Sequence, residues 1–241
     1  MTTPELAQNV RGKGRHYPHP VTGNLLPSIT NVLGVLNKPA LVGWAAREVA
    51  HKAWELRNAL NEMGEDDAIQ VLKGAPYRKS GRAADRGTTI HAYLEARLSG
   101  LAPEVVTGEA RRYQAAAEQW LDDWQPEAVA TELTVFADEY AGTGDLWCRR
   151  DGRMCIVDFK TSKAIYPEAS LQIAALWGAR IDAAGEFVPH YWEERECEGW
   201  VVRIGEDGYE TKRVADLAFS LDVFRACLDV WDWQHGEAYA K

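Results

Sequence analysis

Apolar residues change their spacing once along this chain. Up to Trp124 they recur at helical intervals; from Val129 onward they alternate with period two in short runs. In the first part, Ser28 or Thr30 is placed to cap a helix through Val32, Leu33, Val35 and Leu36. Pro39 then opens a longer helix to about Leu60, along Leu41, Trp44, Ala45, Val49, Ala53 and Leu56. Thr88 or Thr89 caps a further helix that Gly100 stops, and a helix over about 107–124 carries Tyr113, Ala116, Trp120 and Leu121 before Pro126 ends the helical half. In the second part, 129–137, 144–150, 154–161, 200–204 and 209–214 read as strands, with helices at about 167–183 and 216–234.

Residues 1–27 have no periodicity and are expected to be an irregular basic arm or a plain disordered terminus. The remainder, 28–241, reads as one α/β (α+β) domain, with a helical section over 28–125 and a sheet-containing core over 126–241. No repeat or low-complexity linker divides it.

Composition narrows the class. The 241 residues are 46% hydrophobic and 26% charged, which suits a globular core and excludes disordered and collagenous chains. No run approaches the ~18 apolar residues of a membrane span, and the first ten residues lack the pattern of a secretory signal, so a cytoplasmic location without membrane contact is expected. Cys148, Cys155, Cys197 and Cys227 contain no C-x-x-C pair; they read as reduced thiols, and neither a zinc knuckle nor an iron–sulfur cluster is expected. The net charge of -9 excludes a wholly cationic coat but not a local one. Residues 73–87 hold Lys73, Arg78, Lys79, Arg82 and Arg86 against one acid, Asp85. They read as a solvated loop or as a patch for phosphates. The ten tryptophans are expected mostly in the core, with room among them for a base-stacking surface.

The richest segment is 143–163. Asp151-Gly152 is the dipeptide of a type I′ hairpin, so Arg150 should pair with Arg153. Continuing that register puts Asp145 opposite Asp158, with Lys160 on the same face. Two carboxylates and an ammonium then converge, an oxygen-rich setting for a hard divalent cation; a self-neutralising surface cluster is the simpler alternative. On the helix after Gly87, His91 and Glu95 share a face. His91 is either a ligand or a hydrogen-bonded structural residue. Gln172 is the polar exception on an apolar helix, and Glu132 a charge within an apolar strand; each points to a cleft or to solvent.

Together these residues resemble the PD-(D/E)xK nuclease superfamily. Asp145 followed by Asp158-Phe159-Lys160 matches its D…(D/E)xK pattern. The DFKTSK form, the preceding G-T/S-x-x-H helix and the following Gln-bearing helix look like its RecB-like branch, which includes Cas4-like proteins and phage recombination exonucleases. The opening LPSITNVLGVLNKPALVGWAA also looks like phage and actinobacterial members. The resemblance runs from about Leu26 to Trp233. It implies a restriction-endonuclease-like core, with a central mixed sheet flanked by helices. It implies Mg²⁺ or Mn²⁺ held by His91, Asp145, Asp158 and the Phe159 carbonyl, with Lys160 catalytic, Gln172 orienting the site or touching DNA, and Glu132 and Glu95 accessory. DNA is the implied partner, in recombination, repair or phage DNA metabolism, with a homo-oligomer or recombination protein as further partners. Exonuclease action is favoured over endonuclease. Two departures stand out: Leu176 occupies the position where the family often has the Tyr of Q-x-x-x-Y, and the cysteines do not fit the four-cysteine cluster of several Cas4-like members. The rival readings are a non-catalytic DNA-end clamp or partner-interaction subunit, and a metal hydrolase acting on another phosphate ester.

Overall fold

The computed structural model describes residues 6–189 and 197–236. In chain order it contains β1 (Gln8–Val10), β2 (Gly14–Pro18), β3 (Leu25–Pro27) and α1 (Ile29–Val32). These are followed by α2 (Pro39–Glu55), α3 (Arg57–Leu60), α4 (Glu65–Leu98), α5 (Ala110–Trp124), β4 (Glu127–Phe136), β5 (Ala141–Arg150) and β6 (Arg153–Lys160). The chain continues with α6 (Glu168–Gly178), β7 (Ile181–Asp182), β8 (Glu198–Gly205), β9 (Gly208–Arg213) and α7 (Leu217–His235).

Two compact units emerge: residues up to Val35 together with Gly87 onward, and Leu36–Arg86. In the first, the central sheet has the order β7-β4-β5-β6-β8-β9. It is mixed: β6 and β8 run parallel and the other neighbours antiparallel. A parallel pair needs a long crossover, and α6 lies within it. The fold is therefore α/β, a mixed sheet with helices on its faces. Period two assigns the faces. Leu146 and Cys148 of β5, Cys155, Val157 and Phe159 of β6, and Val202 and Ile204 of β8 pack with Ile90, Tyr93 and Leu94 of α4 and with Tyr113, Ala117 and Trp120 of α5. On the other face α6 packs on the sheet and α7 on α6.

Gly144 shows how closely α6 approaches. A Cβ there would press on the Trp147 ring and come within 3.0 Å of Leu176. Gly144→Ala is therefore expected to destabilise the protein by about 1–3 kcal/mol, read from the urea midpoint at an unchanged m-value.

The hairpin forms as expected. Asp151 and Gly152 have φ of 51° and 77°, Arg150 faces Arg153, and the register continues to Leu146↔Val157. The like-charged pair is relieved sideways: the Arg150 guanidinium lies 4.2 Å from the Trp124 ring centroid, and Arg153 donates to Glu198.

Two expectations are corrected. Residues 8–27 are not irregular but form the small antiparallel sheet β1-β2-β3. Asn31 ties it down by donating to the carbonyls of Lys13 and Arg15, and Tyr17 packs edge-on against Phe136. Residues 73–87 are not a loop: α4 runs through them, across Gly74, Pro76, Gly81 and Gly87. The proline forfeits one helical hydrogen bond, and each glycine costs only ~1 kcal/mol, too little to end a helix otherwise rich in Ala, Arg and Lys.

No described helix is long and apolar enough to cross a membrane. Cys148, Cys155 and Cys227 are buried.

Candidate active site

The cluster forms at the end of the β5–β6 hairpin, where the sheet ladder gives way to side chains. The last β5–β6 pair is Leu146↔Val157, so Asp145 and Asp158 occupy the next positions. Instead of a ladder bond there, Asp145 Oδ2 accepts the Phe159 N–H at 2.6 Å. On the other side of β5, pairing with β4 is recorded at Thr131↔Leu146 and Leu133↔Gly144, which leaves Glu132 opposite Asp145. Glu132 has a φ of 47°, a left-handed conformation costly for a non-glycine residue. Strain of this kind concentrates at functional sites.

α4 brings His91 to the same place. His91 Nδ1 lies 3.3 Å from Asp145 Oδ1, and its ring meets Phe159 edge-on. One ligand atom from each of His91, Glu132 and Asp145 falls within 4.8 Å of the others. On the α6 side, Asp158 is 1% exposed. Its buried Oδ2 is paired with Lys160 Nζ at 2.6 Å. Lys160 Nζ also donates to Gln172 Oε1 at 2.9 Å, so α6 holds the ammonium in place.

The electrostatics follow from crowding carboxylates away from water. Burial, then the Lys160 ammonium acting against it and Asp145 adding to it, leaves the Asp158 carboxyl at about 6. Much of Glu132 meets solvent, yet burial of its carboxylate end and the charge of Asp145 push it to about 7. Burial also opposes charge on Asp145, but His91, Lys160 and the Phe159 N–H outweigh it and hold Asp145 below its ordinary value. For His91 and Lys160, burial opposes the cation, and the neighbouring aspartates outweigh burial and raise both. With Asp158 and Glu132 raised, the metal-free folded protein keeps protons that the unfolded chain releases between about pH 4 and 7. Stability in EDTA is therefore expected to fall as pH rises through that window. Thermal melts in EDTA at intervals across it check this; a melting temperature that rose with pH would contradict it.

These observations fit a divalent cation. A histidine nitrogen and carboxylate oxygens from His91, Glu132 and Asp145 converge, and oxygen-rich ligation with one imidazole suits Mg²⁺ or Mn²⁺. Of the residues singled out by sequence, His91, Asp145, Asp158, Lys160 and Gln172 come together. Glu132, expected only as an accessory, joins the tight three-residue cluster, whereas Asp158 turns its carboxylate to Lys160. Glu95 is exposed and stays outside that cluster, near enough for its charge to help raise Glu132. Phe159 contributes its amide, to Asp145. The sequence signal for Glu132 was its charge within an apolar strand; its strained backbone had none.

The basic residues lie in the unit Leu36–Arg86. Arg78, Lys79 and Arg82 line a cleft of about 560 Å³ between α2 and α4, among the acids Glu48, Glu55 and Asp85. Lys79 is paired with Glu48 at 2.6 Å, and Arg78 donates to the Val71 carbonyl. Lys73 and Arg86 do not line that cleft.

Fold and site together define an α/β protein whose mixed sheet carries a histidine–carboxylate cluster with a half-buried lysine beside it. No family model matches the chain, and no curated protein matches it. Solved structures do. The crystal structure of SSO0001 is 13% identical with a TM-score of 0.32, over 84% of this chain and 82% of that one. An alkaline exonuclease, LHK-Exo from Laribacter hongkongensis, is 12% identical with a TM-score of 0.26, over 63% of this chain and 84% of that one. The same exonuclease in complex with dAMP gives 14% and 0.24 over the same shares. The functional reading rests on the geometry of the site itself.

Proposed function

We propose that this protein is a metal-dependent DNA nuclease that hydrolyses phosphodiester bonds. The observation that carries the reading is the convergence of His91, Glu132 and Asp145 beside the pair of buried Asp158 and half-buried Lys160 at one hairpin end. In this reading His91, Glu132, Asp145 and Asp158, with the Phe159 carbonyl that the superfamily resemblance implies, hold Mg²⁺ or Mn²⁺. Such an ion, when bound, polarises a phosphoryl oxygen and lowers the pKa of a bound water. The chain's own residues supply the rest. Asp145 keeps the His91 imidazole oriented through the Nδ1 contact. Lys160 places a fixed positive charge where negative charge builds on the phosphate, or directs a water toward phosphorus. Gln172 is a positioning residue that holds the Lys160 ammonium.

The basic side chains of the unit Leu36–Arg86 guide the DNA backbone in this reading, so binding weakens as salt rises. Exonuclease action is the form that the resemblance favours. The test is cleavage of end-labelled linear and closed circular DNA, single- and double-stranded, with Mg²⁺, Mn²⁺ or EDTA. Metal-dependent loss of the linear forms alone supports an exonuclease, and cutting of circles an endonuclease. No cleavage of any form with either metal would overturn the reading.

A further inference from the structure

The unit Leu36–Arg86 spends almost none of its apolar surface on a core. Among residues 36–86, all described, Pro76 alone is buried. Trp54 on α2 is 70% exposed and Tyr77 on α4 78%. The Arg57 guanidinium lies 4.8 Å from the Trp54 ring centroid and donates to the Trp54 carbonyl, which stiffens the ring while much of it still faces solvent. The setting is cationic. Residues 36–86 carry nine basic side chains against seven acidic, in a chain of net charge -9; Glu62, Glu65, Asp66 and Asp67 are confined to 61–67, and the acids outside that stretch are Glu48, Glu55 and Asp85. Two of those acids are already engaged, Glu48 by Lys79 and Glu55 by Lys52. The cleft between α2 and α4, next in sequence to both aromatics, is lined by His51, Lys52, Arg78, Lys79 and Arg82 together with Glu48, Glu55 and Asp85.

Exposed flat rings on a positive surface call for a ligand with π-faces and regular negative charge. A duplex hides its base faces in the stack, whereas a single strand offers them. An aliphatic protein partner would need a continuous apolar stripe. Leu41 and Val42, the exposed aliphatics of α2, lie 12 or more residues from Trp54, roughly 18 Å along the helix, and Ile69 on α4 lies eight residues from Tyr77, roughly 12 Å along it.

We infer that the unit Leu36–Arg86 is a binding arm for single-stranded DNA, on which Trp54, backed by Arg57, and Tyr77 stack bases while the basic side chains hold the phosphates. The inference rests on the nuclease reading and names the form of its substrate.

The experiment measures fluorescence anisotropy of labelled oligo(dT), an abasic strand of the same length, and the matching duplex. It uses the full chain in EDTA, so that nothing is cleaved. Stacking on an aromatic contributes enough that Trp54→Ala/Tyr77→Ala should weaken oligo(dT) binding by roughly tenfold or more. Binding of the abasic strand should not change, and Trp54→Phe should restore most of the loss at Trp54. Unchanged oligo(dT) binding by the double variant would overturn the assignment. So would equal affinity of the parent for oligo(dT) and the abasic strand. Equal loss on both strands would overturn it as well, since the aromatics would then serve the arm's own folding. Should the parent bind no DNA of any form, the nuclease reading itself falls, a result distinct from these.

Discussion

Lys160→Ala is expected to lower metal-dependent cleavage by roughly 10²–10³-fold while leaving DNA binding in EDTA close to that of the parent. The size is that of losing one group aimed at charge developing in a transition state. The lysine is not a surface residue tolerant of truncation. Its Nζ stands 2.6 Å from Asp158 Oδ2 and is held by Gln172, on a strand whose Asp158 is buried. Without the ammonium, Asp158 faces burial alone and takes up a proton rather than staying charged. A loss of activity caused by misfolding would show as a lowered melting temperature, so cleavage and melting are measured on the same preparation. Lys160→Ala cleaving at the parent's rate would remove the lysine from the mechanism.

The second large effect is expected at Asp145. A ligand binding only the folded state at 100 times its Kd stabilises a protein by about 2.7 kcal/mol, so Mn²⁺ should raise the melting temperature of the parent chain clearly. Asp145→Asn should abolish that rise. The amide oxygen can still accept the Phe159 N–H, so the local fold is kept, but the anionic oxygen that Asp145 brings to the three-residue cluster is lost. His91 also loses the partner that raises its pKa. The same rise in the Asn variant would place the ion elsewhere. Because bound metal displaces protons, the parent's metal-induced rise should be larger at pH 8 than at pH 5.5, the side of about 6 to 7 on which Asp158 and Glu132 are already ionised.

The hairpin shows how much a short sequence settles by itself. Asp151-Gly152 permits positive φ at both turn positions, which sets Arg150 against Arg153, and every pair back to Leu146↔Val157 follows. The adjacency of Asp145 and Asp158, and the placing of Lys160 beside Asp158, are consequences of that local rule. The amphipathic helix ending at Trp124, with Trp120 and Trp124 in the core, was equally readable from its period.

Other features had no local signal. α4 continues through three glycines and a proline because summed propensity outweighs each single break; read one residue at a time, those breaks suggested a loop. The strands of 8–27 are short and polar, and they exist through partners distant in sequence, Asn31 and Phe136. Glu132 was visible as an odd charge, but its left-handed turn toward His91 and Asp145 depends on three separate elements meeting.

The sequence by itself determined the order of α5, β4, β5, β6, α6, β8, β9 and α7, the register of β5 on β6 and the pairing of Asp158 with Lys160, because periodicity and turn chemistry act over a few residues. Only the tertiary structure decided that His91 and Glu132 join Asp145, that Gln172 holds Lys160, and that Trp54 and Tyr77 stay in solvent. Those outcomes depend on which surfaces of distant segments are buried against one another, and burial is a property of the assembled chain.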